Sequence, residues 1–254
     1  MIKVSNPNEY YPQFDSYPVF HNFIKYAIKD LSPDIYVDQL DLPNCYVLYS
    51  YPAYFILGKP SIAYETEVCQ LFGHNSWIIN NDISWDVVLK KHFDTEIQSH
   101  PKIQFDSNKL SLEHILQYKK PLPSGLKIVP IDESHLVSGM VKADVVSRFF
   151  TVSSFKEHGY GFVLVDDSNH VKGFALTNYP MVGKEIELYF RVGYDFEINH
   201  RNQGLGTALC AYFIEETYKR GLIPIWDSAN EISAHIARKL GFVEMIHWSM
   251  YHVL

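Results

Sequence analysis

Residues 194–221 read Tyr-Asp-Phe-Glu-Ile-Asn-His-Arg-Asn-Gln-Gly-Leu-Gly-Thr-Ala-Leu-Cys-Ala-Tyr-Phe-Ile-Glu-Glu-Thr-Tyr-Lys-Arg-Gly. The stretch opens with strand-like alternation over 194–198 and turns through a polar corner at 200–207. A helix follows, with Leu205, Leu209, Tyr212 and Phe213 at helical spacing. Lys219 and Arg220 suit the negative end of the helix dipole, and Gly221 suits a left-handed stop. The first N–H groups of a helix have no partner inside it. Gly204 and Gly206 lack side chains that would hold a ligand away from those groups, and Arg201 adds a fixed positive charge. Such a corner is a socket for phosphate or pyrophosphate.

The corner departs from two common nucleotide motifs. A P-loop needs Gly-Lys-Ser/Thr, whereas Thr207 and Ala208 follow Gly206. A dinucleotide fingerprint needs a third glycine, and no Gly-x-Gly-x-x-Gly is completed here. What remains is Arg-x-x-Gly-x-Gly, carried by Arg201, Gly204 and Gly206.

A second stretch follows at 221–242. Residues 222–226 form a short apolar strand. Asn230 is placed to cap the next helix by accepting from the N–H of Ser233. Ile232, Ile236 and Leu240 are expected as its buried stripe, with Gly241 as its stop.

The Arg-x-x-Gly-x-Gly corner, followed by Asn230, a helix and Lys239-Leu240-Gly241-Phe242, resembles the GNAT-type N-acetyltransferases. Trp226-Asp227, Asn230, Ser233 and 237–242 look like the two-domain subfamily that includes the zwittermicin-resistance acetyltransferase. The resemblance is strong over 145–245 and weak before 120. It implies acetyl-coenzyme A as co-substrate, held by Ile198, Arg201, Asn202, Gln203, Gly204, Leu205, Gly206, Thr207, Asn230 and Ser233. It also implies a mixed α/β sheet with helices on both faces, preceded by a smaller α/β domain.

Acetyl transfer to an amine needs a base for the amine, donors for the thioester oxygen and help for the departing sulfur. Family members supply a carboxylate or an ordered water as base from the strand before the corner. Glu187 and Glu197 are the candidates, 14 and four residues before Arg201. Many members place a tyrosine acid on the last helix, but that position is Ala237 here. His235 is the nearest titratable substitute, and its plain alternative is a polar surface position.

The rest of the chain sets bounds. Its 254 residues suffice for one large or two small domains, and 47% apolar content fills a core. A net charge of −7 without a Lys/Arg run argues against nucleic acid as a partner. No 18-residue apolar run and no apolar leader are present, so the expectation is a cytoplasmic protein without a membrane partner. Cys45, Cys69 and Cys210 make no metal or disulfide pattern, and the 12 histidines lack ligand spacing, so no metal is expected. Cys210 falls on the buried side of a helix and is a poor nucleophile candidate.

In chain order, 1–16 reads as an irregular arm or lid, 19–31 as a helix, and 46–50, 54–57 and 77–79 as strands. A helix through Phe93 buries Trp85, Val88 and Leu89. The proline-bearing 119–125 is the best linker, which gives domains over 1–120 and 126–254. In the second, 133–150 is expected as one helix, and 242–254 is expected to close the sheet. Only 13 residues follow Gly241, so either the closing strand is short or its partner comes from the first half. Two readings stay open: an N-acetyltransferase for a small-molecule amine, and an inactive coenzyme A-binding module that serves as sensor or partner. A homodimer is compatible with either.

Overall fold

The structure is a computed structural model that describes residues 1–137, 139–192 and 203–254. The chain forms two compact units, 1–102 with 247–254, and 103–246. It therefore leaves the first unit between 102 and 103 and returns between 246 and 247.

The first unit contains β1 (Ile2–Lys3), α1 (His21–Tyr26), β2 (Asp34–Val37), β3 (Tyr46–Ser50), β4 (Ala53–Leu57), α2 (Glu65–Cys69), β5 (Trp77–Asn80) and α3 (Trp85–Phe93). β1 to β4 pair antiparallel in sequence order, and β4 pairs parallel with β5. A five-residue π-turn, Ala27–Leu31, continues α1, so the expected 19–31 helix is real but irregular. Residues 1–16, expected as an irregular arm or lid, hold β1 and two 3₁₀ turns, Pro7–Glu9 and Tyr11–Phe14, and pack onto the unit together with Tyr17. Tyr11, Phe14 and Tyr17 are buried, and the Tyr17 hydroxyl donates to the carbonyls of Ile56 and Ile79. Large aromatic side chains so close together bury too much area to be left as a free arm. As expected, Trp85 and Leu89 are fully buried on α3.

The chain then runs through β6 (Ile97–Asp106), α4 (Leu112–Leu116), β7 (Leu126–Pro130), α5 (Gly139–Phe149), α6 (Val152–His158), β8 (Gly161–Asp166), β9 (Val171–Thr177) and β10 (Glu185–Val192). After these come α7 (Leu205–Lys219), β11 (Ile223–Ser228), α8 (Glu231–Leu240) and β12 (Val243–Val253). In the second unit β7 to β10 pair antiparallel in sequence order and β10 pairs parallel with β11. The end of β6 then adds antiparallel to β11, with Phe105 opposite Trp226.

The expected closing role of 242–254 is corrected here. Residues 250–252 of β12 pair with β5, Met250 opposite Ile79, and so complete the first unit's sheet. The short tail after Gly241 thus finds its partner in the first half, one of the two alternatives the sequence left open. The two units consequently repeat one arrangement: four antiparallel strands, one parallel neighbour, then one antiparallel strand.

Two further expectations change. Residues 133–150 split into a 3₁₀ turn, Glu133–Leu136, and α5. The segment 119–125, expected as the boundary, lies inside the second unit. Ile115 of α4 is fully buried in that unit's core, and Lys119 pairs with Glu215 of α7.

Both faces of the second sheet are covered, as expected for a layered α/β fold. Ile186 and Leu188 of β10 pack with Leu209, Phe213 and Ile214 of α7 and with Ala237 and Leu240 of α8. On the opposite face Val163, Val165, Phe174 and Leu176 pack with Val141, Val145 and Phe149 of α5 and with Phe155 of α6. Among the described residues no helix is long and apolar enough to cross a membrane, and no group of three metal-ligating side chains occurs.

Candidate functional site

The β10–β11 ladder runs through Glu185–Ile223, Ile186–Pro224 and Glu187–Ile225. Beyond Glu187 the two strands part. Leu188 to Val192 on one side and Trp226 onward on the other form the walls of a cleft of about 910 Å³. Gln203, Gly204, Leu205, Gly206 and Thr207 line it, as do Asn230, Ser233 and His235 of the α8 segment. The sequence named these eight as site residues, and the structure brings them to one cleft. Glu197, Ile198, Arg201 and Asn202 lie outside the described residues.

The start of α7 is built as the sequence implied. Gly204 sits at φ +76°, a left-handed conformation natural to glycine, and its carbonyl accepts from Ala208 N–H at 2.9 Å. The N–H groups of Leu205, Gly206 and Thr207 come too early in the helix for an intrahelical acceptor. A Cβ on Gly206 would stand 3.4 Å from both Val192 Cγ2 and Ile236 Cδ1, and 3.7 Å from Phe190 Cε2. The missing side chain therefore keeps open the gap between the helix start and the cleft walls. A helix N-terminus lining a cleft of this volume, with no side chain on Gly206 to fill the gap beside it, fits a pyrophosphate with an extended arm.

Asn230 caps α8 by accepting from Ser233 N–H at 2.9 Å. Ser233 in turn accepts from the indole Nε1–H of Trp226 at 3.0 Å. One short network thus ties the floor of the cleft to the first turn of α8. The expected stripe of α8 is corrected in phase. Ser233, Ala234, Ala237 and Leu240 face the core, whereas Ile232 is 75% exposed and lines the cleft with Ile236. The cap at Asn230 fixes where the helix starts, and that rotates Ile232 off the core face. His235 is exposed on the cleft rim, and Ala237 is fully buried, so α8 offers no phenol.

On the face of β10 away from α7, Glu187, Tyr189 and Arg191 alternate with the core residues. They meet a polar group from α5 and the turn after β9. Asp144 accepts from the Tyr189 hydroxyl at 3.2 Å and from Arg191 Nη1 at 3.1 Å. The Arg148 guanidinium lies 3.4 Å from the Tyr189 ring centroid and donates through Nη1 to Asn178 Oδ1. Asn178 Nδ2 donates to Glu187 Oε1 at 2.6 Å. Tyr179 is close by, and burial together with Glu187 and Asp227 pushes its phenol well up. Sequence reasoning missed Asp144, Arg148, Asn178, Tyr189 and Arg191. The only available signal was the alternation of polar residues along β10, and their partners are distant in sequence.

The cysteines are not candidates. All three are buried, and burial pushes the Cys45 and Cys69 thiols to about 12 and Cys210 well above its usual range.

Comparison with known proteins places this arrangement. The fold is similar to that of a GCN5-related N-acetyltransferase-like protein from Streptococcus suis: TM-score 0.74, 21% identity, covering 96% of this chain and 97% of that one. It is similar to a tandem GNAT protein from the clavulanic acid biosynthesis pathway, with TM-score 0.61, 11% identity and coverage of 99% and 97%. It is also similar to a GNAT-family acetyltransferase from Colwellia psychrerythraea, with TM-score 0.59, 8% identity and coverage of 99% and 98%. At these identities the likeness speaks for the fold alone. No curated protein matches the chain. The family model of GNAT acetyltransferases, however, matches residues 18–251, a span that holds the parted strands, the glycine corner and the capped helix alike. The chain belongs to the GNAT acetyltransferase family.

Proposed function

We propose that the protein transfers an acetyl group from acetyl-coenzyme A to the primary amine of a small molecule, by direct attack in a ternary complex. The observation that carries this reading is the cleft between β10 and β11, which is entered beside the glycine start of α7. Bound there, acetyl-coenzyme A supplies an activated acyl group and a thiolate leaving group. Gly204 to Thr207 offer N–H groups to the pyrophosphate, and Asn230 with Ser233 borders the path of the pantetheine arm. Ile198, Arg201 and Asn202 belong to the same proposed grip.

Glu187 stands at the apex where the strands part, on the face opposite α7. A carboxylate there takes the proton of an amine approaching from the α5 side, while the coenzyme enters from the α7 side. Glu197 is the alternative base. A dedicated acid is not required, since a thiolate leaves readily. His235, exposed on the cleft rim, is the candidate to protonate it. The acceptor is a small cationic amine, such as an aminated antibiotic or an amino-acid-like metabolite, consistent with the net charge of −7. The likeness to the zwittermicin-resistance subfamily supports the same class. The proposed setting is cytoplasmic, without nucleic acid, membrane or metal, and compatible with a homodimer.

The second reading is a coenzyme A-binding module without turnover. The buried Ala237 at the usual tyrosine position favours it. Release of free coenzyme A, followed with a thiol reagent against a panel of amines, separates the two. Amine-dependent release supports the enzyme. Thermal stabilisation by coenzyme A with no release on any amine supports the module.

A further inference from the structure

We propose that Asn178 is a positioning residue for Glu187, its amide oriented by Arg148 so that it holds the Glu187 carboxylate where β10 and β11 part. The inference rests on the reading of Glu187 as the base.

Asn178 is the first residue after β9, and its backbone N–H donates to the Glu187 carbonyl at 2.8 Å. Its side chain is buried, and the two ends of its amide have different partners. Arg148 has only donors, so the end of the amide facing Nη1 must be the oxygen. That choice leaves the NH2 end for Glu187 Oε1 at 2.6 Å. The orientation is therefore fixed by chemistry.

Arg148 is itself clamped. Its guanidinium stacks on Tyr189 and approaches Asp144 at 3.9 Å, while its buried Nε has no hydrogen-bond partner among the described residues. A hydrogen bond to the charged form of a carboxylate favours that form, and a base must be charged to accept a proton. Tyr179, from the turn after β9, also lies near this carboxylate, and both Glu187 and Asp227 of β11 act on its phenol.

The test reads the Glu187 carboxyl directly by ¹³C NMR titration in the full chain, assigned by its loss in Glu187→Gln. Asn178→Asp replaces the donor by a second carboxylate at almost the same volume. Its expected result is a Glu187 titration moved to higher pH, by about one pH unit or more. Asn178→Ser, which keeps a short donor, moves it less. Turnover on the amine panel follows in the same variants. The acidic limb of the kcat profile moves up with the carboxyl, while KM for acetyl-coenzyme A stays as in the wild type. A Glu187 titration unmoved in folded Asn178→Asp overturns the inference, whatever the activity. Full turnover in Glu187→Gln overturns instead the reading of Glu187 as base, and the NMR result then still decides whether Asn178 holds it.

Discussion

Glu187 faces Ile225 across the last pair of the β10–β11 ladder, and the strands part immediately beyond it. A parallel pair that separates in the middle of a sheet forfeits backbone hydrogen bonds on both sides, and such losses are tolerated where a ligand takes their place. The carboxylate at this fork is expected to act on the reaction more than on binding. Glu187→Gln should lower kcat by about 100-fold or more while leaving the affinity for coenzyme A within about two-fold. Steady-state kinetics paired with titration calorimetry reads both. An equal loss in the two quantities, or none, moves the role to Glu197.

Ile232 and Leu240 lie two turns apart on α8 and should behave oppositely. Ile232 is 75% exposed on the cleft wall, so Ile232→Ser should change stability by no more than about 0.5 kcal/mol but weaken coenzyme binding. Leu240 is fully buried, and Leu240→Ala should cost about 2–5 kcal/mol. Urea unfolding of both variants checks the contrast. A large destabilisation in Ile232→Ser would restore it to the core.

Asn230 has a structural duty that can be separated from any contact with ligand. Asn230→Ala removes the acceptor for Ser233 N–H and should cost about 1 kcal/mol; Asn230→Asp keeps the cap and should be near neutral. If Asn230→Asp holds its stability but loses affinity for coenzyme A, the side chain also serves the cleft. Thermal unfolding with and without coenzyme A distinguishes the two duties.

Acid should weaken the attachment of 119 to α7. Hydrogen bonds from Lys119 and then Lys219 hold the Glu215 carboxyl below its ordinary 4.5. A carboxyl with a lowered folded pKa stabilises the fold above its unfolded pKa and loses that contribution as pH falls below it. Glu215→Gln should therefore be less stable than wild type at pH 7 and converge with it as pH falls through the lowered folded pKa. Chemical unfolding at a series of pH values reads the convergence. A gap independent of pH would mean that packing, not charge, sets the difference.

Much of the second unit was legible because its signals are local. Gly204, Gly206, Asn230 and Gly241 act within one turn of their own positions, and each stands where its chemistry implies. Ile232 misled because an apolar residue at helical spacing suits a cleft wall as well as a core. The partners of Glu187 were illegible for a different reason. Asn178 and Arg148 reach it through strand pairing and helix packing, which no short window of sequence encodes. The exchange at the chain's end was half legible. Counting 13 residues after Gly241 exposed a missing partner, but only pairing register shows Met250 beside Ile79. No motif in the first unit exposes the repeat, since that unit carries the same strand order without the glycine corner. β4 and β5 stay paired over Ala53 to Ile56, and α2 is five residues long.

The central claim is that the glycine start of α7 grips a coenzyme in the β10–β11 cleft. Titration calorimetry of coenzyme A against the wild type and Gly206→Val tests it most directly, with unfolding curves to show that the variant is folded. A valine there reaches into the gap bounded by Val192 and Ile236. The expected result is saturable binding by the wild type and none measurable in the folded variant. Equal binding by both proteins, or no binding by the wild type, would contradict the account.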